Sequence, residues 1–336
     1  MTNQPEKKVC SIRYRGRMTG DELSALRKSR LWTEIAKRYL FLPLTFDYYS
    51  EYHQGEYADR VFFVYCGDEP LLAFWGLCKA GRLGYFHLPA EITAAPASAE
   101  AINEAYRQLL GELENIVKRD RVSAFEFEYD PYLVSAYFGK MSQVSVKHSC
   151  IVDLELGEEQ IKGNVRKSYK SLINWGSREL RTAVMDSSNA DPELYEQVKQ
   201  FHFRVAGRKT RSDASWQKHY ASIAAGEGYL VTAFFGEQMA SAALVLHGSA
   251  EAFYGVGIND RELMEKHPVS HYPLLAAILH AKKIGLKKFN MNDVDILGTD
   301  EKADSISMFK KGFSKTLLAH TSYLVQTAAP ADHTKA

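Results

Sequence analysis

Two stretches of this chain carry the same succession of strands and turns, and that repetition narrows the folds open to it. Residues 61–86 read VFFVYCGDEPLLAFWGLCKAGRLGYF, and residues 230–255 read LVTAFFGEQMASAALVLHGSAEAFYG. In each, an apolar run of strand length ends in a glycine turn (Gly67-Asp68-Glu69-Pro70, Gly236-Glu237-Gln238), a second run follows, and a third carries aromatic residues. Short apolar runs bounded by Gly and Pro read as antiparallel strands. Gly67 and Gly236 are 169 positions apart, and so are Tyr85 and Tyr254.

The elements after each meander also correspond. Helix-periodic stretches come next, at 99–119 and 272–285, then short strands at 124–128 and 288–292. Short helices at 131–138 and 304–311 close on Gly139 and Gly312, and last strands run at 146–154 and 318–326. Each half therefore reads strand-strand-strand-helix-strand-helix-strand. A meander followed by crossover helices predicts an α/β (α+β) chain, with a mixed, mostly antiparallel sheet and flanking helices in each half. The expected domains are 1–152 and 153–326, with a disordered tail at 327–336. An insertion at about 158–226 adds helical segments at 158–175, 191–206 and 213–225; Asp191-Pro192 is a start signal, a cap followed by proline at the first helical position.

Composition excludes several classes. Net charge is +1, from 42 Lys+Arg against 41 Asp+Glu, so a globally basic nucleic-acid coat is out, though a local basic patch is not. No apolar run reaches the ~18 residues of a membrane span, so no integral membrane segment is expected. The polar start, MTNQPEKK, shows no signal peptide. Cys10, Cys66, Cys78 and Cys150 suggest neither a disulfide framework nor a metal site, and the expected location is cytoplasmic and reducing.

Charge is nevertheless local. Residues 162–181 hold six basic side chains and one acid. Arg166 and Lys170 are four apart and share a helix face, with Tyr169 beside them. That face suits phosphates and a stacked ring; a solvated basic face is the plainer alternative. Residues 199–218 again carry six basic residues and one acid. There Arg208, Thr210 and Arg211 sit in a loop that opens a helix near Asp213 and Trp216, a position suited to an anion or to a structural ion pair. His271 lies at the start of the helix that includes Pro273, as a ligand contact or a packing residue. Asn292 and Asp293 end a buried strand, where polar residues often face a cleft, unless they form an ordinary turn. Lys310 adjoins an apolar face made by Phe309 and Phe313; it can stabilise negative charge on a carbonyl oxygen or extend to solvent. GxxxxGK[ST], GxGxxG after a strand, HExxH and GxSxG are all absent, which counts against nucleotide hydrolysis, hydride transfer and zinc or serine hydrolysis.

The order IKGNVRKSYKSLINW, FHFRVAGRKTR, AFYGVGIND, HPVSHYPLLAAILHAKKIGLKKFNMND, SISMFKKGF resembles the Fem-type (FemAB-like) transferases over about 155–325. These are tandem members of the GNAT (Gcn5-related N-acetyltransferase) superfamily. The resemblance implies two tandem GNAT-like domains and an acyl- or aminoacyltransferase acting on an amine of a cell-envelope or surface-glycan precursor. The implied donor is aminoacyl-tRNA or acetyl-CoA, and the implied acceptor a phosphorylated small molecule or a lipid-linked sugar. It implies that Lys310 lies near the donor, that Arg166 and Lys170 meet phosphates, and that Tyr254 lines the acceptor cleft. Where coenzyme-A-dependent relatives carry a glycine-containing pyrophosphate loop, this chain reads KHPVSHYP. Two other readings stay open: an acetyl-CoA-dependent N-acetyltransferase of a nucleotide-linked amino sugar, and a non-catalytic module that binds RNA or another anion. The expected catalytic residues are Lys310, Asp293 and His271. The expected substrate-binding residues are Arg166, Tyr169, Lys170, Arg208, Thr210, Arg211, Trp216, Tyr254 and Asn292, with no metal.

Overall fold

A computed structural model describes residues 10–52, 57–84, 90–93, 97–298 and 301–327. The chain begins with β1 (Cys10–Tyr14), α1 (Gly20–Arg27), α2 (Arg30–Ile35), α3 (Pro43–Tyr52), β2 (Ala58–Asp59), β3 (Phe62–Cys66), β4 (Glu69–Trp75), β5 (Leu77–Lys79), β6 (Arg82–Gly84) and β7 (Ala90–Thr93). It continues through α4 (Ala99–Arg119), β8 (Ala124–Glu128), α5 (Pro131–Tyr137), β9 (Met141–Asp153), α6 (Glu158–Asn164), α7 (Lys167–Glu179), β10 (Leu180–Met185), α8 (Pro192–Ala206) and α9 (Asp213–Ala224). It ends with β11 (Gly228–Phe235), β12 (Gln238–His247), β13 (Glu251–Asn259), α10 (Arg261–Lys266), α11 (His271–Lys283), β14 (Lys288–Val294), α12 (Glu301–Lys311) and β15 (Thr316–Gln326).

Two compact units emerge, and each is interrupted in sequence. One comprises Met1–Ile35, Gly55–Val146 and His320–Ala336; the other comprises Ala36–Gln54 and Lys147–Ala319. No helix among the described residues is long and apolar enough to cross a membrane.

In the second unit the expected meander forms. β11, β12 and β13 pair antiparallel, and Gly236 takes the left-handed conformation that its tight turn requires (φ 58°). β14 then pairs parallel with β13 and antiparallel with β9, and β10 forms an edge strand against β11. Within this unit the strand order runs β10-β11-β12-β13-β14-β9, mixed and mostly antiparallel. Because side chains alternate along a strand, the sheet has two buried faces. Tyr229, Val231, Ala243 and Val245 pack with Leu274, Ile278 and Phe313 on the face of α11. Leu230, Ala242, Leu244 and Ile258 pack with Val198, Phe201 and Trp216 on the face of α8 and α9.

The first meander departs from expectation. β3 and β4 join β1 and β7 in an antiparallel sheet of order β1-β3-β4-β7, whereas β5 and β6 belong to another, with β6 parallel to β8. The chain changes sheets at Gly76, where a Cβ would meet the Phe74 ring at 2.5 Å. Tyr85 lies outside the described residues, as does the tail at 328–336. The helix expected over 158–175 divides into α6 and α7, because Val165 is extended (ψ 136°) and buries its side chain in the core. The cysteine expectation is corrected too. β1 and β3 place Cys10 directly opposite Cys66, and the two form a disulfide, a pairing that 56 residues of separation hid.

Candidate active site

β13 and β14 part company along their length. Their pairing runs from Glu251↔Lys288 to Phe253↔Asn290, while β13 continues to Asn259 and β14 to Val294. Beyond Asn290 the ladder between β14 and β9 is also irregular, resuming at Asp293↔Ser149. Asn292 is the cause: it is left-handed (φ 69°), a conformation asparagine tolerates better than most residues. Its amide donates to Asn290 Oδ1 at 2.8 Å, and its own Oδ1 accepts from the Asp293 amide at 2.6 Å. A strained bulge thus lies at the mouth of a splay between two parallel strands, where backbone strain often accompanies function.

Lys310, in the last turn of α12, reaches this bulge and donates from Nζ to the Asp293 carbonyl at 2.7 Å. Ser149 Oγ donates to the Asp293 carboxylate at 3.2 Å, and the carboxylate is exposed. Desolvation lowers the Lys310 pKa, partly offset by Asp293. An ammonium has three donors, so two remain for a ligand oxygen. Cys150 lies under the same helix end, its Sγ 3.5 Å from the Lys310 carbonyl. Burial pushes that thiol up to about 11, so it stays protonated and is a poor nucleophile. Tyr254 stands on β13 just past the last paired residue, and desolvation pushes its phenol up to about 12. Gly257 makes room for that phenol, since a Cβ there would collide with its hydroxyl.

α7 leans on the end of α12. Arg166 N donates to the Gly312 carbonyl at 2.8 Å, Tyr169 Oη reaches the Met308 carbonyl at 3.4 Å, and the Arg166 guanidinium sits 5.2 Å from the Tyr169 ring centre. Tyr169 packs edge-on to His271 at 4.4 Å and beside Phe313 at 5.6 Å. An aromatic cluster therefore stands at the N-terminus of α11, where the sequence lacks the glycines that admit a pyrophosphate. Lys170 is exposed one turn further along α7. Burial holds the His271 pKa at about 4, so the imidazole is neutral and a weak base.

The remaining expected residues lie elsewhere. Arg211 sits 5.2 Å from the Trp216 ring centre, and Trp216 belongs to the core under α8 and α9. The 208–211 loop therefore lies with the α8–α9 face of the sheet, whereas the end of α12 that carries Lys310 packs with the α11 face through Phe313. Arg208 is exposed, and Thr210 Oγ1 is 3.4 Å from His202 Nδ1. Around Arg211 the fold assembles partners with no motif in the sequence. The guanidinium lies 5.5 Å from the Tyr52 ring, and its charge partly offsets the burial that pushes the Tyr48 phenol up to about 12; Tyr48 in turn stacks on His219 at 3.8 Å. Arg211 Nε, Trp216 Nε1 and His219 Nδ1 are all buried without a hydrogen-bond partner. No carboxylate pairs with Arg211 among the described residues. Two orphaned donors, Arg211 Nε and Trp216 Nε1, with no carboxylate paired to the guanidinium, suit an anion. Among the described residues no cluster of His, Cys, Asp or Glu has the makings of a metal site.

These features define a chain with mixed, mostly antiparallel sheets, flanking helices and a splayed parallel strand pair, a GNAT-like fold. Solved structures bear this out at low sequence identity. FemX superposes with a TM-score of 0.61 at 12% identity, covering 85% of this chain and 89% of FemX. The C-terminal domain of a putative lysylphosphatidylglycerol synthetase from Agrobacterium fabrum gives 0.56 at 11%, covering 92% and 93%. A tandem GNAT protein from the clavulanic acid biosynthesis pathway gives 0.53 at 11%, covering 96% and 100%. No protein-family model and no curated protein matches the chain.

Proposed function

We propose that this chain is an acyl- or aminoacyltransferase of two tandem GNAT-like domains, with the reaction at the β13–β14 splay and an amine of a cell-envelope or surface-glycan precursor as acceptor. The observation that carries the reading is Lys310 Nζ held 2.7 Å from the Asp293 carbonyl at a bulged strand end, with spare donors. The amine nitrogen bonds to the donor's carbonyl carbon, and Lys310 receives the oxyanion that forms. The carbonyl–oxygen bond to the leaving group then breaks, and the leaving oxygen takes a proton. The exposed Asp293 carboxylate accepts the proton lost by the amine. The protonated Cys150 thiol favours direct transfer over a covalent intermediate.

Donor and acceptor approach from opposite faces in this reading. Arg166, Tyr169 and Lys170 hold a phosphate-bearing donor on the α7 face. Arg211, with Thr210 and Trp216, holds the acceptor's anionic group on the α9 face, and Tyr254 and Asn292 line the gap between. Tyr169 and His271 crowding the start of α11 favours aminoacyl-tRNA over acetyl-CoA.

Single-turnover transfer of a labelled amino acid from charged tRNA, run beside acetyl-CoA, tests this. Lys310→Ala is expected to lower kcat by about 100-fold or more with the fold intact. Arg211→Gln is expected to raise the acceptor KM about ten-fold and leave kcat nearly unchanged. Full kcat in Lys310→Ala removes the assigned role, and transfer from acetyl-CoA alone selects the acetyltransferase.

A further inference from the structure

Lys310 and Asp293 are oppositely charged neighbours that do not pair. Lys310 Nζ bonds the backbone carbonyl of Asp293 at 2.7 Å, and among the described residues no ion pair joins it to the carboxylate. Coulomb attraction favours the opposite outcome, a carboxylate turned onto the ammonium beside it. Three consecutive residues of β9 prevent this. Ser149 Oγ donates to Asp293 Oδ1 at 3.2 Å, and Ser149 is itself buried. Cys150 Sγ lies 3.5 Å from the Lys310 carbonyl, and the Ile151 carbonyl accepts from Ser314 Oγ at 2.5 Å, so the same strand anchors the end of α12.

The bulge supplies the register. From Asn290↔Ile151 to Asp293↔Ser149, β14 advances three residues while β9 advances two, and Asn292 is the residue in excess. Regular pairing would set Asp293 opposite His148; the extra step sets it opposite Ser149, and cross-strand partners share a face. We infer that Ser149 is a positioning residue, whose hydroxyl holds the Asp293 carboxylate off Lys310 so that the ammonium keeps donors for an oxyanion and the carboxylate stays free as a base. This role rests on the transferase reading, whereas the separation of the two charges can be read without turnover. Collapse into an ion pair would occupy Nζ donors and neutralise the base. Burial lowers the Lys310 pKa, and the charges of Asp293 and Cys150 act to raise it. The Cys150 thiol stays protonated, so the position of the Asp293 carboxylate governs how much neutral amine Lys310 presents.

Trace acetylation of the full chain with acetic anhydride at about pH 8, read lysine by lysine by mass spectrometry, measures that amine, with Lys311 as the internal reference. Ser149→Ala is expected to slow labelling of Lys310 about ten-fold relative to Lys311, because the released carboxylate moves against the ammonium and favours its charged form. In single-turnover transfer the same variant is expected to lower kcat about ten-fold and leave KM nearly unchanged. Ser149→Thr should keep the wild-type labelling ratio, and Ser149→Val, which has the same shape without the hydroxyl, should not. That pair separates the hydrogen bond from packing, and circular dichroism verifies that each variant is folded. Adding Asp293→Asn to Ser149→Ala should return labelling to that of Asp293→Asn alone, since the carboxylate charge is the agent. Wild-type labelling in Ser149→Ala, or equal labelling in the Thr and Val variants, overturns the proposal. A labelling shift in a chain that transfers nothing from charged tRNA or acetyl-CoA removes the transferase reading and leaves the charge separation standing. Transfer with unshifted labelling does the reverse.

Discussion

Burial sets the charge state of His271. Its ring stands against Tyr169, Phe309 and Phe313, and desolvation lowers its pKa from 6.5 to about 4. Between those values the unfolded chain carries a proton that the folded chain refuses. The contribution is therefore complete above about pH 6.5 and is lost as pH falls through about 4. Allowing for the ring's partial exposure, about 2–3 kcal/mol of stability is lost over that window. Denaturant unfolding of His271→Gln at about pH 7 and about pH 4.5 is expected to show a shallower acid loss than the unaltered chain. Equal losses would place the acid sensitivity on other groups. The sequence marks His271, Lys310 and Arg211 as residues of interest, but not what surrounds them. Desolvation, the Asp293 carbonyl and the Tyr48–His219 stack all arise from packing between residues far apart in the chain. Tyr48 and His219 had no signal at all, since α3 joins α9 only in three dimensions.

Between elements, one missing side chain decides how α7 meets α12. Gly312 ends α12 with the Tyr169 ring pressed against it, and a Cβ at 312 would overlap ring atoms Cε2 and Cζ. Tyr169 would have to move, taking with it the aromatic cluster beside Lys310. Gly312→Ala is expected to cost about 1–3 kcal/mol by overpacking. Combining it with Tyr169→Leu should cost less than the two changes summed, because the smaller side chain vacates the space. Additive losses in a thermal-unfolding cycle would show that the contact carries no strain. The sequence shows Gly312 as a helix stop, whereas the structure makes it a contact as well. The same limit applies to whole elements. The second meander was legible because period-two apolar runs and Gly236 agree with each other. The first was misread because Gly76, which looks like one more turn residue, sends the chain into another sheet. β10 escaped notice because LRTAVM follows a helix directly, with no turn residue to mark the change.

For the molecule as a whole, sequence order understates how the chain is shared between its units. Residues 36–52 come from the first half but pack with the second, which a division at one point in the sequence cannot express. What holds them is specific. Tyr39 stacks on Phe253 at 4.5 Å, and Tyr39 and Leu42 share a small core with Leu246 and Phe253. The turn between β12 and β13 seals the contact: Ser249 N donates to the Ala36 carbonyl at 2.7 Å, and Glu251 N to the Lys37 carbonyl at 3.0 Å. Gly248 permits this approach, since a Cβ there would meet the Lys37 carbonyl oxygen at 2.6 Å and backbone cannot swing aside as a side chain can. Gly248→Ala is therefore expected to pry the segment loose at a cost of about 2 kcal/mol or more. Hydrogen exchange provides the discriminating measurement. The amides of α3 should lose protection while those of β11 and β12 retain theirs, because the sheet keeps its own ladder. Since α3 carries Tyr48 and Tyr52 to Arg211, the same variant should weaken the proposed acceptor site without touching Lys310. Unchanged protection of α3 would mean that the carbonyls of Ala36 and Lys37 yield to the added methyl, and that the segment is held by its aromatic contacts alone.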